Sequence, residues 1–386
     1  MRTCLVDSTP VRPSAAPSPG PRLPAWSRAL ALLVTLAALT VSPLSGAEAT
    51  PQPAGIGVQT VNVIVINIDP VLRTRGGVKL HEHMKWSDPG RLTDRMIEDA
   101  RVASDGYVDY RIVDRIEFDG FTTFRNGFTY TEEAFLTMWE KDRNLANPGM
   151  TSFRWLFEKF GLAAKIKARD VREIWLWGAP YMAWDELHWK IPGDRIPYPT
   201  ENPWFYRPYD LPDVGRTIWV MGWNYERGEG EMLESYCHRI ESVLSLTVGQ
   251  GVWDPKRSPD NPWNRFTRID RDFPGAAEVG SVHCAPNSKE DYDWNNTNRV
   301  WTFADDWLSY PQLPRRKKLL NAVEGGWDGI VNHHRWWMRR LPHQPGVKDG
   351  FYNNWWEYIV NYDEAIRRLP PPGATFRRAE KAMYAE

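Results

Sequence analysis

Two stretches of the chain set a histidine beside a cysteine. Residues 236–239 read Y-C-H-R and residues 282–285 read V-H-C-A. Two histidines with one carboxylate are a known ligand set for zinc and for non-haem iron. Residues 229–248 have the spacing of an amphipathic helix, with Leu233, Tyr236, Cys237, Ile240, Val243 and Leu244 on its apolar stripe. Turning about 100° per residue from Leu233, the side chains of Glu241, Glu234, His238 and Glu231 gather on one flank beside that stripe. Glu234 and His238 are i,i+4 neighbours and can reach one point. His283 completes a ligand set with them only if its segment lies against the helix. Glu234, His238 and His283 are therefore the expected ligands of a divalent metal, zinc first. A four-ligand site using both cysteines is excluded, because adjacent residues on a helix or strand diverge too far to share one ion.

The cysteines themselves suggest what would bring the segments together. Residues 29–41 are an apolar run, preceded by Arg28 and followed by the small residues Ser45-Gly46-Ala47. That is the pattern of a secretory signal peptide over 1–47, cut after Ala47 or Ala49, with a linker at 48–60. Cleavage removes Cys4 and leaves Cys237 and Cys284. In an oxidising compartment an even pair predicts a disulfide. A Cys237–Cys284 bond would draw His283 to the flank that carries Glu234 and His238.

The elements that must position these residues follow from periodicity. V-N-V-I-V-I-N-I-D-P at 61–70 reads as a buried strand. Further strands are predicted at 107–118, 172–178 and 216–223, and helices at 91–104, 131–143, 151–169 and 229–248. The alternation implies an α/β domain over 61–250, with a mixed, largely buried sheet. Residues 189–215 read as loop. Residues 251–386 read as a loop-rich, Trp-rich cap on the core, with helices at 313–323, 329–340 and 351–369. In open α/β sheets, sites gather beyond the carboxyl ends of strands. The loop after 172–178 carries Trp184, Asp185, Glu186 and His188. The loop after 216–223 carries Asn224, Tyr225, Glu226 and Arg227. Asp185, Glu226 and Glu241 are the candidates for acid or base work. Trp184, His188, Tyr225 and Arg227 are the candidates for substrate contact.

Composition narrows the partners. The formal net charge is −1 with both signs scattered, so no basic stripe points to nucleic acid. No second apolar run of spanning length follows the leader. The 21 tryptophans are too many to pass over, and they fit either a heavy core or sugar-stacking surfaces. Asn295-Asn296-Thr297 fits a glycosylation sequon. No nucleophile elbow, phosphate loop or dinucleotide fingerprint is present.

The helix at 229–248 resembles the zincin peptidases only weakly. Their H-E-x-x-H motif is here E-S-Y-C-H, with Glu234 in place of the first histidine and Ser235 where the base would stand. Over about 61–362, the stretches V-N-V-I-V-I-N-I-D-P, M-G-W-N-Y-E-R-G, C-H-R-I-E-S and D-D-W-L-S-Y-P resemble a group of secreted bacterial proteins of uncharacterised activity. That resemblance implies export and one shared fold, and no mechanism. The expected function is a secreted hydrolase, metal-dependent through Glu234, His238 and His283, acting on an extracellular polysaccharide or peptide. Two alternatives stand beside it. One is a metal-free glycoside hydrolase using two of Asp185, Glu186, Glu226 and Glu234. The other is a non-catalytic carbohydrate-binding or surface protein.

Overall fold

The strand Gln59–Ile68 (β1) carries the run V-N-V-I-V-I-N-I, and from Val63 onward every residue is buried. Such a strand needs cover on both faces and a partner on both edges. It has both. The computed structural model describes residues 57–198, 210–248, 261–372 and 375–378, which lie in one compact unit spanning Ala54–Glu386. The expected leader at 1–47, and all of the linker before residue 57, lie outside the described residues.

β1 is flanked by Val108–Phe118 (β2) and Val171–Gly178 (β3), both parallel to it. Leu187–Lys190 (β4) comes next in the chain but lies at the sheet edge, antiparallel to Ile218–Asn224 (β5). β5 in turn runs parallel to β3. The order is β2-β1-β3-β5-β4, an α/β sheet with one antiparallel edge. The chain reverses its direction of travel across the sheet between β1 and β3, which makes their carboxyl ends the topological switch point.

The helices start where local chemistry allows. In Pro89–Ala103 (α1) the Asp88 carboxylate accepts from the Arg91 N–H at 2.7 Å, and Pro89 sits at the first helical position. Glu132–Glu140 (α2) and Phe153–Phe160 (α3) open on Thr131 and Ser152, whose hydroxyls accept from Ala134 and Trp155. Gly161 ends α3 at φ 61° before Leu162–Ala168 (α4) begins. Glu229–Thr247 (α5) has no side-chain cap, but Glu229 and Glu231 place negative charge at its positive end. It packs against Ile330–Met338 (α6).

Three expectations differ from the structure. Residues 189–215 are not all loop, since β4 reaches Lys190 and Arg195–Tyr198 pairs with Thr375–Arg378. The helix expected at 313–323 is a strand, Lys318–Leu320, paired with Val300–Thr302 and followed by the short helix Ala322–Gly325. The helix expected at 351–369 begins as a strand, Phe351–Asn354, in a hairpin with His343–Lys348. Asp349 and Gly350 turn that hairpin at φ 52° and 81°, a conformation that Asp-Gly favours. Two helices, Trp356–Val360 (α7) and Tyr362–Arg368, follow.

Most of the described tryptophans are core. Trp177 and Trp223 lie 4.9 Å apart on neighbouring strands, and Trp189 and Trp219 lie 4.3 Å apart. Trp263, Trp307, Trp337 and Trp355 close around Phe266 in the C-terminal part. Among the described tryptophans only Trp301 is exposed. Among the described residues no helix is long and apolar enough to cross a membrane.

Within this apolar mass lies an ion pair with both side chains fully buried, Arg239 Nη1 to Glu173 Oε2 at 2.6 Å. Tyr110 and Trp175 donate to the same carboxylate at 3.0 and 2.9 Å, and Arg239 Nη2 donates to Ile359 O at 2.6 Å. Removing one partner strands a charge. Glu173→Gln is expected to lower unfolding stability by about 3–5 kcal/mol, read as a shift of the denaturant midpoint. A double replacement by apolar residues of similar volume should cost much less. Equal losses for the single and double variants would count against this account.

Candidate functional site

α5 puts Glu234 and His238 one turn apart, and the ring of His283 meets them. His283 Nε2 stands 3.0 Å from His238 Nε2 and 3.3 Å from Glu234 Oε1. His238 Nε2 stands 3.8 Å from the same oxygen. Ligands at zinc distances in a tetrahedron lie about 3.3–3.6 Å from one another, so the three atoms already form one face of such a polyhedron. Among the described residues this is the one group of three such side chains able to share an ion. All three are partly exposed, at 15–19% of each side chain, so the fourth corner faces accessible space.

The surroundings favour positive charge. Burial opposes ionisation of Glu234, but His238 and His283 outweigh it and hold the carboxyl below the usual carboxylate range. Burial likewise opposes protonation of His238, yet Glu234 and Glu241 raise its proton affinity well above the ordinary value. Glu241 Oε2 stands 3.2 Å from His238 Nδ1, on the side of the ring away from Glu234. Such a carboxylate fixes the ring and its tautomer and strengthens the opposite nitrogen as a ligand. Glu241 is 3% exposed and sits behind His238, so it supports a ligand and is not the free base expected from its spacing.

The disulfide is absent. Cys237 and Cys284 are both free and buried. Cys237 belongs to the apolar stripe of α5, while the Cys284 thiol points to Asp291 Oδ1 at 3.3 Å. Neighbours in the chain diverge, so turning His283 toward α5 turns Cys284 away from it. Burial pushes the Cys284 thiol up to about 12 and raises Cys237 well above its ordinary value. Burial thus disfavours the thiolate form of both.

What positions His283 is α6. The His333 Nε2–H is shared between Ser281 O and Val282 O, both at 3.1 Å, and Trp337 Nε1 donates to Gly280 O at 3.0 Å. Burial pushes His333 down to about 4, so its ring is the neutral donor this requires. Gly280, at φ 93°, lets the Cys284 carbonyl press on the turn where a Cβ would stand. Tyr292 closes the outer side. Its hydroxyl lies 3.3 Å from His283 Nε2, and burial pushes it up to about 12, keeping it a neutral phenol. The sequence reading missed Tyr292, His333 and Trp337. The pair His333-His334 beside Trp336-Trp337 was a visible signal, but of a core, which it also is.

The loop candidates divide. Asp185, Glu186, Glu226 and Arg227 are exposed. The charge of Glu186 reaches both His238 and Tyr292, and Arg227 reaches Tyr292, so these two stand at the rim. Glu226 forms no hydrogen bond or ion pair with the triad among the described residues. Trp184 lies half-buried over Gly178 and Gly222, filling the space a side chain at either glycine would need. Tyr225 and His188 are not surface contacts. Tyr225 is fully buried and donates from its hydroxyl to Ile68 O at 3.0 Å. His188 is buried on β4, with its ring 4.3 Å from Phe153. Both sit where β4 and β5 are covered, so packing claims them.

Because the two thiols point apart, both should be alkylated by iodoacetamide after unfolding without reductant, as read by peptide mass spectrometry. Recovery of a linked Cys237–Cys284 peptide from oxidised protein would contradict this geometry.

Comparison of the chain with family models, with characterised proteins and with solved structures gives no match.

Proposed function

We propose that Glu234, His238 and His283 hold a divalent metal, zinc in the first place, and that the protein is a secreted metal-dependent hydrolase of an extracellular polymer. The observation that carries the metal is the set of ligand separations, 3.0, 3.3 and 3.8 Å, drawn from two segments 45 residues apart in the chain. The assignment of hydrolysis rests on the chemistry of such a set. A zinc held by three protein ligands with a fourth corner open lowers the pKa of bound water toward ~7 and polarises a carbonyl.

The chain's own residues supply the remainder. Glu241 keeps the His238 ring facing the centre. The Tyr292 hydroxyl, a neutral donor beside His283, is placed to hydrogen-bond negative charge developing on a substrate oxygen. Glu186 is the loop carboxylate suited to accept a proton at the rim. The buried tryptophans count against a sugar platform, so a polymer would be held by the loops after β3 and β5.

Metal analysis of the purified protein after equilibration with zinc tests the first step, with about one zinc per chain expected. His283→Ala should abolish stoichiometric binding. Saturation at about 100 times the dissociation constant should add about 2.7 kcal/mol to unfolding stability, seen as a higher melting temperature that EDTA reverses. No zinc uptake, or uptake unaltered by His283→Ala, would sink the metal and leave Glu186 with Glu234 as a carboxylate pair to test on glycosides.

The proton affinity of His238 sets the sign of the pH dependence. Its folded pKa is raised, so without metal its contribution to stability is full below the unfolded value of ~6.5 and is lost as pH rises through the folded one. Zinc must displace that proton. The melting-temperature gain on adding zinc is therefore expected to grow from about pH 6 to about pH 8, and calorimetry should show proton release. A gain that shrinks over that range would contradict it.

A further inference from the structure

β1 ends at Ile68 and leads into Asp69-Pro70 at the switch point of the sheet, on the β2–β1–β3 side and remote in sequence from the triad. The general expectation for an open parallel sheet is a ligand site there. Asp69 is 2% exposed, and both of its carboxylate oxygens meet His81. Oδ1 accepts from the backbone N–H of His81 at 3.1 Å, and Oδ2 stands 2.6 Å from His81 Nδ1. His81 lies in the short helix Leu80–Met84, and its ring meets Tyr225 edge-on at 6.1 Å. Attachment at two points fixes where the imidazole faces. A carboxylate only accepts, so Nδ1 carries the proton and the lone pair sits on Nε2. That is how a histidine is held to act as a base.

A second observation points to a ligand. Asn67 is 4% exposed and lies on the same strand face as Asp69, two residues before it. Its Nδ2 donates to Glu117 Oε2 at 2.9 Å, and Lys79 Nζ donates to the same oxygen at 3.1 Å. Lys79 Nζ is also 3.9 Å from Asp69 Oδ2, so the four side chains form one cluster. Asn67 Oδ1 is buried there without a hydrogen-bond donor. A buried acceptor left unpaired is destabilising, and a donor on a bound molecule would relieve it.

We propose that Asp69 and His81 form a proton-transfer dyad, a chemical centre separate from the Glu234–His238–His283 triad, acting on a hydroxyl-bearing ligand bound over the switch point. His81 Nε2 takes the proton of one ligand hydroxyl, or of water, as that oxygen bonds to the carbonyl carbon of an ester and the carbonyl π pair moves onto its oxygen. Asp69 balances the imidazolium that forms, and as the tetrahedral adduct collapses the ester C–O bond breaks and Nε2 returns the proton to the departing alkoxide. Asn67 Oδ1 accepts from a second ligand hydroxyl. Nothing in this step requires a metal at the triad. Burial raises the Asp69 carboxyl against the lowering pull of His81 and Lys79.

The test uses p-nitrophenyl acetate, an ester that an oriented, unprotonated imidazole cleaves. His81 Nε2 takes a proton from water as the water oxygen bonds to the carbonyl carbon, and p-nitrophenolate leaves as the tetrahedral adduct collapses. The full chain is expected to release p-nitrophenolate with a rate that His81→Gln lowers at least about tenfold. Asp69→Asn keeps the backbone contact but loses the charge, and should lower the rate by an intermediate factor. EDTA, which would strip the triad, should leave the His81-dependent rate in place. Long-range 1H–15N spectra should show His81 as the Nδ1–H tautomer in the wild-type protein, whether or not a variant folds. An unchanged rate in folded His81→Gln would overturn the proposal, and so would an Nε2–H tautomer. Complete loss of the rate on chelation would assign the reactivity to the triad and likewise end it.

Discussion

The buried pair of Arg239 and Glu173 is the constraint on which the placement of α5 depends. A guanidinium removed from water must keep its partners, and these are supplied by β3, by Tyr110 of β2 and by the Ile359 carbonyl of α7. α5 therefore cannot roll on the sheet without breaking contacts worth several kcal/mol. His238 precedes Arg239 by one residue and is rotated from it by about 100°. Once Arg239 is locked beneath the helix, His238 and Glu234 are held at its flank, facing the loops beyond β3 and β5. The charge that orders the core also aims the candidate ligands.

The second half of the site arrives by a different route. His283 lies on an irregular turn, where no periodicity dictates direction. Its backbone is gripped by His333 and Trp337, both from the core face of α6, and α6 packs on α5. The turn is thus referred to the same helix that carries Glu234 and His238. A disulfide would have served the same purpose, but it would have required Cys284 to face α5 in place of His283.

Tyr225 ties the strand ends together beneath the Asp69–His81 pair. Its hydroxyl, from the loop after β5, reaches the carbonyl of Ile68 at the end of β1, while its backbone N–H donates to Gly178 O at the end of β3. One buried tyrosine thereby ties three strand ends together beneath the loops. Trp184, seated across Gly178 and Gly222, closes the same floor from the outside. These residues build the rim without presenting chemistry of their own, and so two of the aromatic and histidine candidates, Tyr225 and His188, proved to be packing.

Much of this was legible in the chain because periodicity reports how a residue faces relative to its own element. The unbroken β-branched run of β1, the stripe of α5 and the Glu234–His238 pair are local patterns, and the structure has them all. The hairpin turn at Asp349-Gly350 is equally local, and the helix expected at 351–369 left it unused. What periodicity does not carry is which distant element lies opposite. The meeting of His283 with α5 depends on α6, a contact between segments some fifty residues apart, and the fate of the cysteines followed from which neighbour won the inward direction. Asp69 and His81 are separated by a turn and a two-stranded ribbon, with no spacing to mark them as partners. Only the closing of the sheet, which buries Asp69 and leaves His81 as its companion, decided that pairing, because a buried carboxylate must find its donors wherever the fold supplies them.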